Sequence, residues 1–232
     1  MRVLVTGCGR GGTNLGIEVV RCLKIPTTRN VEDRSFFQRV LPASYATKLA
    51  TENKGFTKES IKEKLKEYSD LKIVFMLRHP FDNVMSKIVR GQPRSLGGDN
   101  LTEQVMPDGT VDGASKALEY MYEIYNSLVT DDIYKNRVLT VKMEELISEP
   151  KKTVDDIAAF LEVTPNKHSY EFYKFNRNAH QKSRYGNNLA PQISLYKDLQ
   201  NNFDGFFKDK EELLTEIKNR FTSIAKERGY KI

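Results

Sequence analysis

Short apolar runs alternate along this chain with longer stretches in which apolar residues recur every three or four positions. Val3-Leu4-Val5 is compact, β-branched and followed by glycines, which predicts a buried strand. From Thr13 to Leu23 the spacing of Leu15, Val19 and Leu23 predicts an amphipathic helix, stopped by Pro26. Residues 27–44 read as loop with a short helix around Phe36, Phe37, Val40 and Leu41, and Tyr45–Thr51 alternates like a strand. Thr57 is placed to cap a helix running through Ser69, with Ile61, Leu65 and Tyr68 on one face and lysines and glutamates on the other. Lys72–Leu77 is the strongest strand signal, and Pro80 falls in the first turn of the helix that follows, which carries Asp82 and Ser86.

Residues 90–114 are rich in Gly, Pro, Asp and Asn and read as a long loop, a lid or an acceptor-binding surface. A helix is expected over Lys116–Leu128, a strand over Val138–Lys142, and a helix capped by Thr153 with Val154, Ile157, Ala158 and Leu161 on one side. Residues 176–195 are polar and loop-like. The last helix, Glu211–Arg228, buries Leu214, Ile217, Phe221 and Ile224 and ends at Gly229. Strands alternating with helices predict a three-layer α/β fold, a mostly parallel sheet covered on both faces, as one domain over residues 1–232. In such sheets ligands bind beyond the carboxyl ends of the strands. That singles out two loops, Gly7–Asn14 and Arg78–Ser86.

Composition narrows the ligand. Lys and Arg number 37 against 31 Asp and Glu, a formal charge of +6, which suits an anion. No Lys/Arg-rich run with interleaved aromatics argues for nucleic acid. Cys8 and Cys22 are too few for a disulfide scaffold and form no CxxC pair, so neither a structural metal nor an oxidising compartment is expected. The chain opens directly on its first strand-like run and has no apolar stretch of about 18 residues, so a soluble, cytoplasmic protein is expected.

The first loop, Gly7-Cys8-Gly9-Arg10-Gly11-Gly12-Thr13-Asn14, joins a strand to a helix. Its glycines let backbone N–H groups turn toward an anion, and the helix N-terminus adds partial positive charge. Three readings fit. Gly7, Gly9 and Gly12 match the dinucleotide pattern G-x-G-x-x-G, and Tyr170 and Lys174 have the Tyr-x-x-x-Lys spacing of short-chain dehydrogenases, but Pro26-Thr27-Thr28-Arg29-Asn30 is not a second strand ending in an acid. Gly7 and Gly12 also have Walker A spacing, as in nucleoside or sugar kinases using ATP and magnesium, yet Thr13 stands where the lysine belongs. The third reading puts the cation inside the loop, at Arg10-Gly11-Gly12-Thr13.

That run resembles the 5′-phosphosulfate loop of sulfotransferases that use 3′-phosphoadenosine 5′-phosphosulfate (PAPS). Leu77-Arg78-His79-Pro80-Phe81-Asp82-Asn83-Val84-Met85-Ser86 resembles the same family's 3′-phosphate motif, in which an Arg ends a strand, Pro follows two residues later and a Ser lies eight residues on. Val138–Leu146, Glu149-Pro150 and Phe160-Leu161 are similar to the family's late strand and following helix. Lys182-Ser183-Arg184-Tyr185-Gly186 loosely matches a basic loop that closes over the nucleotide. Asn14 and Leu15 depart from the family's usual hydroxyl and aromatic residues.

The resemblance implies a P-loop-like fold and sulfuryl transfer by in-line displacement, with PAP as the leaving product and no metal. It assigns the nucleotide to Gly9, Arg10, Gly11, Gly12, Thr13, Asn14, Arg78, Ser86, Lys182 and Arg184, with Arg10 on the departing 5′-phosphate oxygen. In several branches a Glu shortly after the first helix takes the acceptor's proton. Glu32 is the candidate here and Asp33 the second, the alternative being a surface carboxylate paired with Arg29 or Arg34. The acceptor, whether carbohydrate, lipid, peptide or small molecule, is left open, with residues 27–55 and 90–114 expected to choose it. A PAP-binding module without enzymatic activity stays among the alternatives.

Overall fold

The computed structural model describes residues 1–28, 32–89, 111–175, 193 and 207–232. Four parallel strands form the sheet: β1 (Arg2–Gly7), β2 (Tyr45–Lys48), β3 (Leu71–Leu77) and β4 (Val138–Lys142), in the order β2-β1-β3-β4. Val5 lies opposite Lys48 on one side and Val74 on the other, and Met76 lies opposite Val141. Among the described residues the helices run α1 (Thr13–Cys22), α2 (Lys58–Glu67), α3 (Pro80–Val89), α4 (Val111–Val129), α5 (Met143–Ser148), α6 (Pro150–Phe160) and α7 (Lys167–Tyr170). A further helix, α8 (Glu211–Glu227), lies near the C-terminus.

The sheet is buried on both faces, so alternate strand residues enter different cores. Leu4, Ile73, Phe75 and Leu77 pack with residues of α2, α3, α4 and α8. Val3, Val5, Val74, Met76 and Val141 pack on the other side with residues of α1, α5 and α6. The three-layer α/β architecture expected from the alternation is therefore present. At the far end of the sheet the Arg137 guanidinium donates to the carbonyls of Leu65 and Leu71 at 2.7 and 2.9 Å, and to Tyr68. It fastens the end of α2 to the start of β3, a favourable place for a cation because helix carbonyls end there.

Several local expectations need correction. Residues 34–38 are turns rather than a short helix, closed by Phe36 N to Asp33 O at 3.0 Å and Gln38 N to Ser35 O at 2.9 Å. β2 stops at Lys48, although Leu49 N and Thr51 N still reach Val5 O and Gly7 O at 3.1 Å each. α2 ends at Glu67 because Tyr68 turns to extended backbone. Thr153 does not cap α6: Pro150 opens that helix after Glu149, and the Thr153 hydroxyl donates back to Glu149 O at 3.1 Å. Pro suits a first turn, where its missing N–H had no partner to lose. α4 begins at Val111, so the end of the expected 90–114 loop is helical, while residues 90–110 lie outside the described residues.

Strand order explains where a site can form. From β1 the chain crosses to β2 on one side, whereas β3 leads to β4 on the other. The carboxyl ends of β1 and β3 therefore flank a topological switch point, where connections diverge and leave a crevice. The glycine loop leaves β1 there and Arg78 leaves β3 there.

Candidate active site at the switch point

The glycine loop is held in a conformation few sequences could adopt. Gly7 has φ 142°, and a Cβ there would lie 2.3 Å from Met76 O. Gly12 has φ 94°, and a Cβ would lie 2.8 Å from Met143 Cγ of α5. Gly12 is also the residue before α1 and supplies no side-chain cap, so the first N–H groups of that helix stay directed at the mouth of the loop, a setting that favours an anion.

Arg10 lies between these glycines with φ 71°, a left-handed conformation that costs an L-residue about 1–2 kcal/mol. Three contacts surround it. Gly9 N donates to both Glu52 carboxylate oxygens at 2.7 and 2.9 Å. Arg78 Nη1 donates to Arg10 O at 3.3 Å. Gly11 N donates to Cys8 O at 2.8 Å. The two motifs recognised in the sequence, 68 residues apart, thus meet through Arg78 and Arg10.

Arg78 is buried and follows the last residue of β3. Ser86 is two turns into α3 and fully buried, and among the described residues its hydroxyl has no hydrogen-bond partner. Asn83, one turn before Ser86, is buried beside the loop, with Nδ2 3.5 Å from where a Gly11 Cβ would stand. Among the described residues Asn83 Oδ1 also has no partner. Buried polar atoms of this kind are uncommon and point to a ligand or solvent that completes them. Lys182 and Arg184 lie outside the described residues.

The turn at Arg78-His79-Pro80 is braced from α5. Glu144 Oε1 accepts from His79 N at 2.8 Å, and burial pushes the Glu144 carboxyl above its ordinary range. The His79 ring sits edge-on to Phe81 and Tyr230, and its Nε2 is 2.9 Å from Lys231 O. Glu144, in the first turn of α5, thus supports the turn that follows Arg78 directly.

Arg29 lies outside the described residues, and among the described residues Glu32 bonds to partners other than Arg34. Its carboxylate accepts from Asn53 Nδ2 and from Lys48 Nζ at 3.5 Å. Lys48 ends β2, and Asn53 is the residue after Glu52, so Glu32 is tied to the same rim as the glycine loop. Asp33 is drawn elsewhere, into a cluster with Ser35 at 2.8 Å, Arg39 at 2.6 Å and the Tyr45 hydroxyl. Burial and the Asp33 bond push the Tyr45 phenol up to about 12. These bonds tie Asp33 to the segment before β2.

Sequence reasoning missed the group beneath the loop. Lys87 Nζ pairs with Glu52 Oε1 at 2.6 Å, both side chains 1% exposed, and Cys8 Sγ donates to the same oxygen at 3.1 Å. Burial opposes charge on each, yet Cys8 and Glu52 hold Lys87 above the usual lysine range, and Lys87 leads the groups that hold Glu52 below the usual carboxylate range. Burial, then Glu52, raises the Cys8 thiol. A lysine in the last turn of a helix and a glutamate in a polar loop ordinarily face water, and nothing in their spacing announces a pair 35 residues apart.

Among the described residues no three metal-ligating side chains cluster, and no helix is long and apolar enough to cross a membrane. Tyr170 and Lys174 are engaged away from the loop, with Asp155 at 2.7 Å and Glu171 at 2.9 Å.

Comparison with known proteins places the fold. The fold matches the sulfotransferase domain from the curacin biosynthetic pathway over 99% of this chain and 98% of that one, with TM-score 0.67 and 13% identity. It also matches retinol dehydratase, solved with androsterone and PAP, over 100% and 82% of the two chains, with TM-score 0.57 and 12% identity. Mouse sulfotransferase SULT7A1, solved with PAP, matches over 80% and 64%, with TM-score 0.52 and 18% identity. A search of curated protein sequences found no match. The sequence model of the Sulfotransferase family matches residues 18–166, well over half of the chain though starting after the glycine loop. On that match and the shared fold, the chain belongs to the sulfotransferase family.

Proposed function

We propose that this protein transfers a sulfuryl group from PAPS to a hydroxyl or amine of an acceptor, by in-line displacement at sulfur. The observation that carries this reading is the contact of Arg78 with the backbone of Arg10, which brings the two candidate anion-binding elements side by side. A nucleotide with phosphate groups at both its 5′ and 3′ positions fits two such elements better than a nucleotide anchored at one end. PAP is present in two of the solved structures that share the fold.

The residues divide the work. The N–H groups at the start of α1, with Gly11, Gly12 and Thr13, would hold the 5′-phosphate, and Asn14 and Gly9 complete that loop. Arg78, whose fork suits two oxygens, and Ser86, whose buried hydroxyl lacks a partner among the described residues, would hold the 3′-phosphate. Lys182 and Arg184 are proposed to close over that end. PAPS supplies the sulfuryl group on its 5′-phosphate oxygen. Arg10 neutralises charge building on that bridging oxygen, a contact whose loss typically costs about 10²–10³ in rate. Glu32 accepts the acceptor's proton, and Lys48 and Asn53 orient its carboxylate for that task. A sulfuryl group carries less charge than a terminal phosphoryl, so side chains and N–H groups suffice and no metal is needed.

Calorimetric titration of the wild-type chain and Arg78→Ala with PAP, ATP–Mg and NAD(P) tests the reading. PAP is expected to bind, and Arg78→Ala to weaken it at least about tenfold, the worth of a charge-assisted hydrogen bond. Binding of ATP–Mg or NAD(P) with indifference to PAP would sink it.

A further inference from the structure

Lys87 follows Ser86 on α3, and its Glu52 partner grips Gly9 at the start of the glycine loop. One buried chain of contacts therefore runs from the helix under the proposed 3′-phosphate site, through Lys87 and Glu52, to the backbone of the 5′-phosphate loop. We propose that Glu52 and Lys87 are positioning residues that set the conformation of Gly9-Arg10-Gly11 for the nucleotide's 5′-phosphate, an inference that rests on the PAPS reading above.

The strain at Arg10 supports this. A non-glycine residue persists at φ 71° only where its surroundings over-determine it. The Arg78 bond fixes the carbonyl of Arg10, and the Cys8 carbonyl fixes Gly11 N. A further anchor, on the residue before Arg10, is the two-oxygen grip of Glu52 on Gly9 N. Loosening that grip lets the strained Arg10 backbone relax toward negative φ, which swings its guanidinium and the next N–H away. A buried carboxylate directly beneath an anion loop would by itself repel the ligand. Lys87, 2.6 Å from that carboxylate, cancels the charge while leaving its acceptor geometry in place. The space is also fitted: a Cβ on Gly9 would lie 2.9 Å from Glu52 Oε1 and 3.4 Å from Lys87 Nζ.

The test separates the two ends of the nucleotide by titrating PAP, adenosine 5′-monophosphate and adenosine 3′-monophosphate into purified variants. Glu52→Leu/Lys87→Met replaces the ion pair by apolar groups of similar size, a change that buried pairs commonly tolerate, and removes the acceptor for Gly9. It is expected to weaken PAP and the 5′-monophosphate by about tenfold or more, leaving the 3′-monophosphate unchanged. Glu52→Gln/Lys87→Met restores one acceptor oxygen and is expected to recover most of the loss. Should the apolar pair not fold, Glu52→Asp, which keeps the charge but shortens the reach to Gly9 by one methylene, is expected to give the same selective loss. Equal weakening of all three ligands, or none, in a folded variant overturns the positioning role while leaving the sulfotransferase reading intact. A wild-type protein that ignores PAP overturns both.

Discussion

At the scale of single residues, the site is decided by atoms that have little room to be otherwise. Gly7 is the clearest case, because both its φ of 142° and the carbonyl of Met76 exclude a side chain. Gly7→Ala is expected to lose about 1–3 kcal/mol of stability in urea denaturation, and a neutral result would show that the β1 end can shift freely. Arg10 and Arg78 could be picked from the sequence because each stands at a fixed offset from a strand end and a glycine or proline. Glu52, Lys87 and Asn83 could not, since their importance lies in what they touch. Asp33 shows the same thing: adjacent to Glu32 in sequence, it bonds to Arg39 and Tyr45.

Elements place those residues. α1 begins straight after Gly12, and α3 begins at Pro80, so two helix N-termini are brought to one end of the sheet by strands β1 and β3. α2 lies on the flank, and its start is fixed by a reciprocal cap, Ser60 N to Thr57 Oγ1 at 3.1 Å and Thr57 N to Ser60 Oγ at 2.9 Å. Thr57→Ala is expected to cost about 1 kcal/mol in a denaturation midpoint without altering PAP affinity, because the Thr57 side-chain bonds stay within the start of α2 and reach neither loop. A selective loss of binding instead would show that α2 steers the loop of Glu52. The cap at Thr57 was readable from local sequence, whereas the expected cap at Thr153 was not, because Pro150 already opens that helix. Local signals compete, and only the neighbouring residues show which one prevails.

For the whole molecule, pH reads out how the layers are joined. Glu144 ties α5 to the β3–α3 turn with its carboxyl held above the ordinary range by burial. A raised carboxyl stabilises the fold fully below its unfolded value, and that contribution fades as pH climbs through the raised one. Glu144→Gln should therefore match wild type near about pH 4 and gain on it toward about pH 8, measured as urea midpoints; a difference of the opposite slope would contradict the assignment. The sequence by itself determined the α/β class, most strands and helices, and the two anion motifs. Each depends on periodicity, on the geometry of Gly and Pro, or on short fixed spacings that act within a few residues. Only the tertiary structure decided that β1 and β3 lie side by side, that Arg78 reaches Arg10, and that a buried Glu52–Lys87 pair underlies the loop. Those contacts join positions 35 to 69 residues apart, and no local preference of the chain encodes them until the two cores on either side of the sheet have closed.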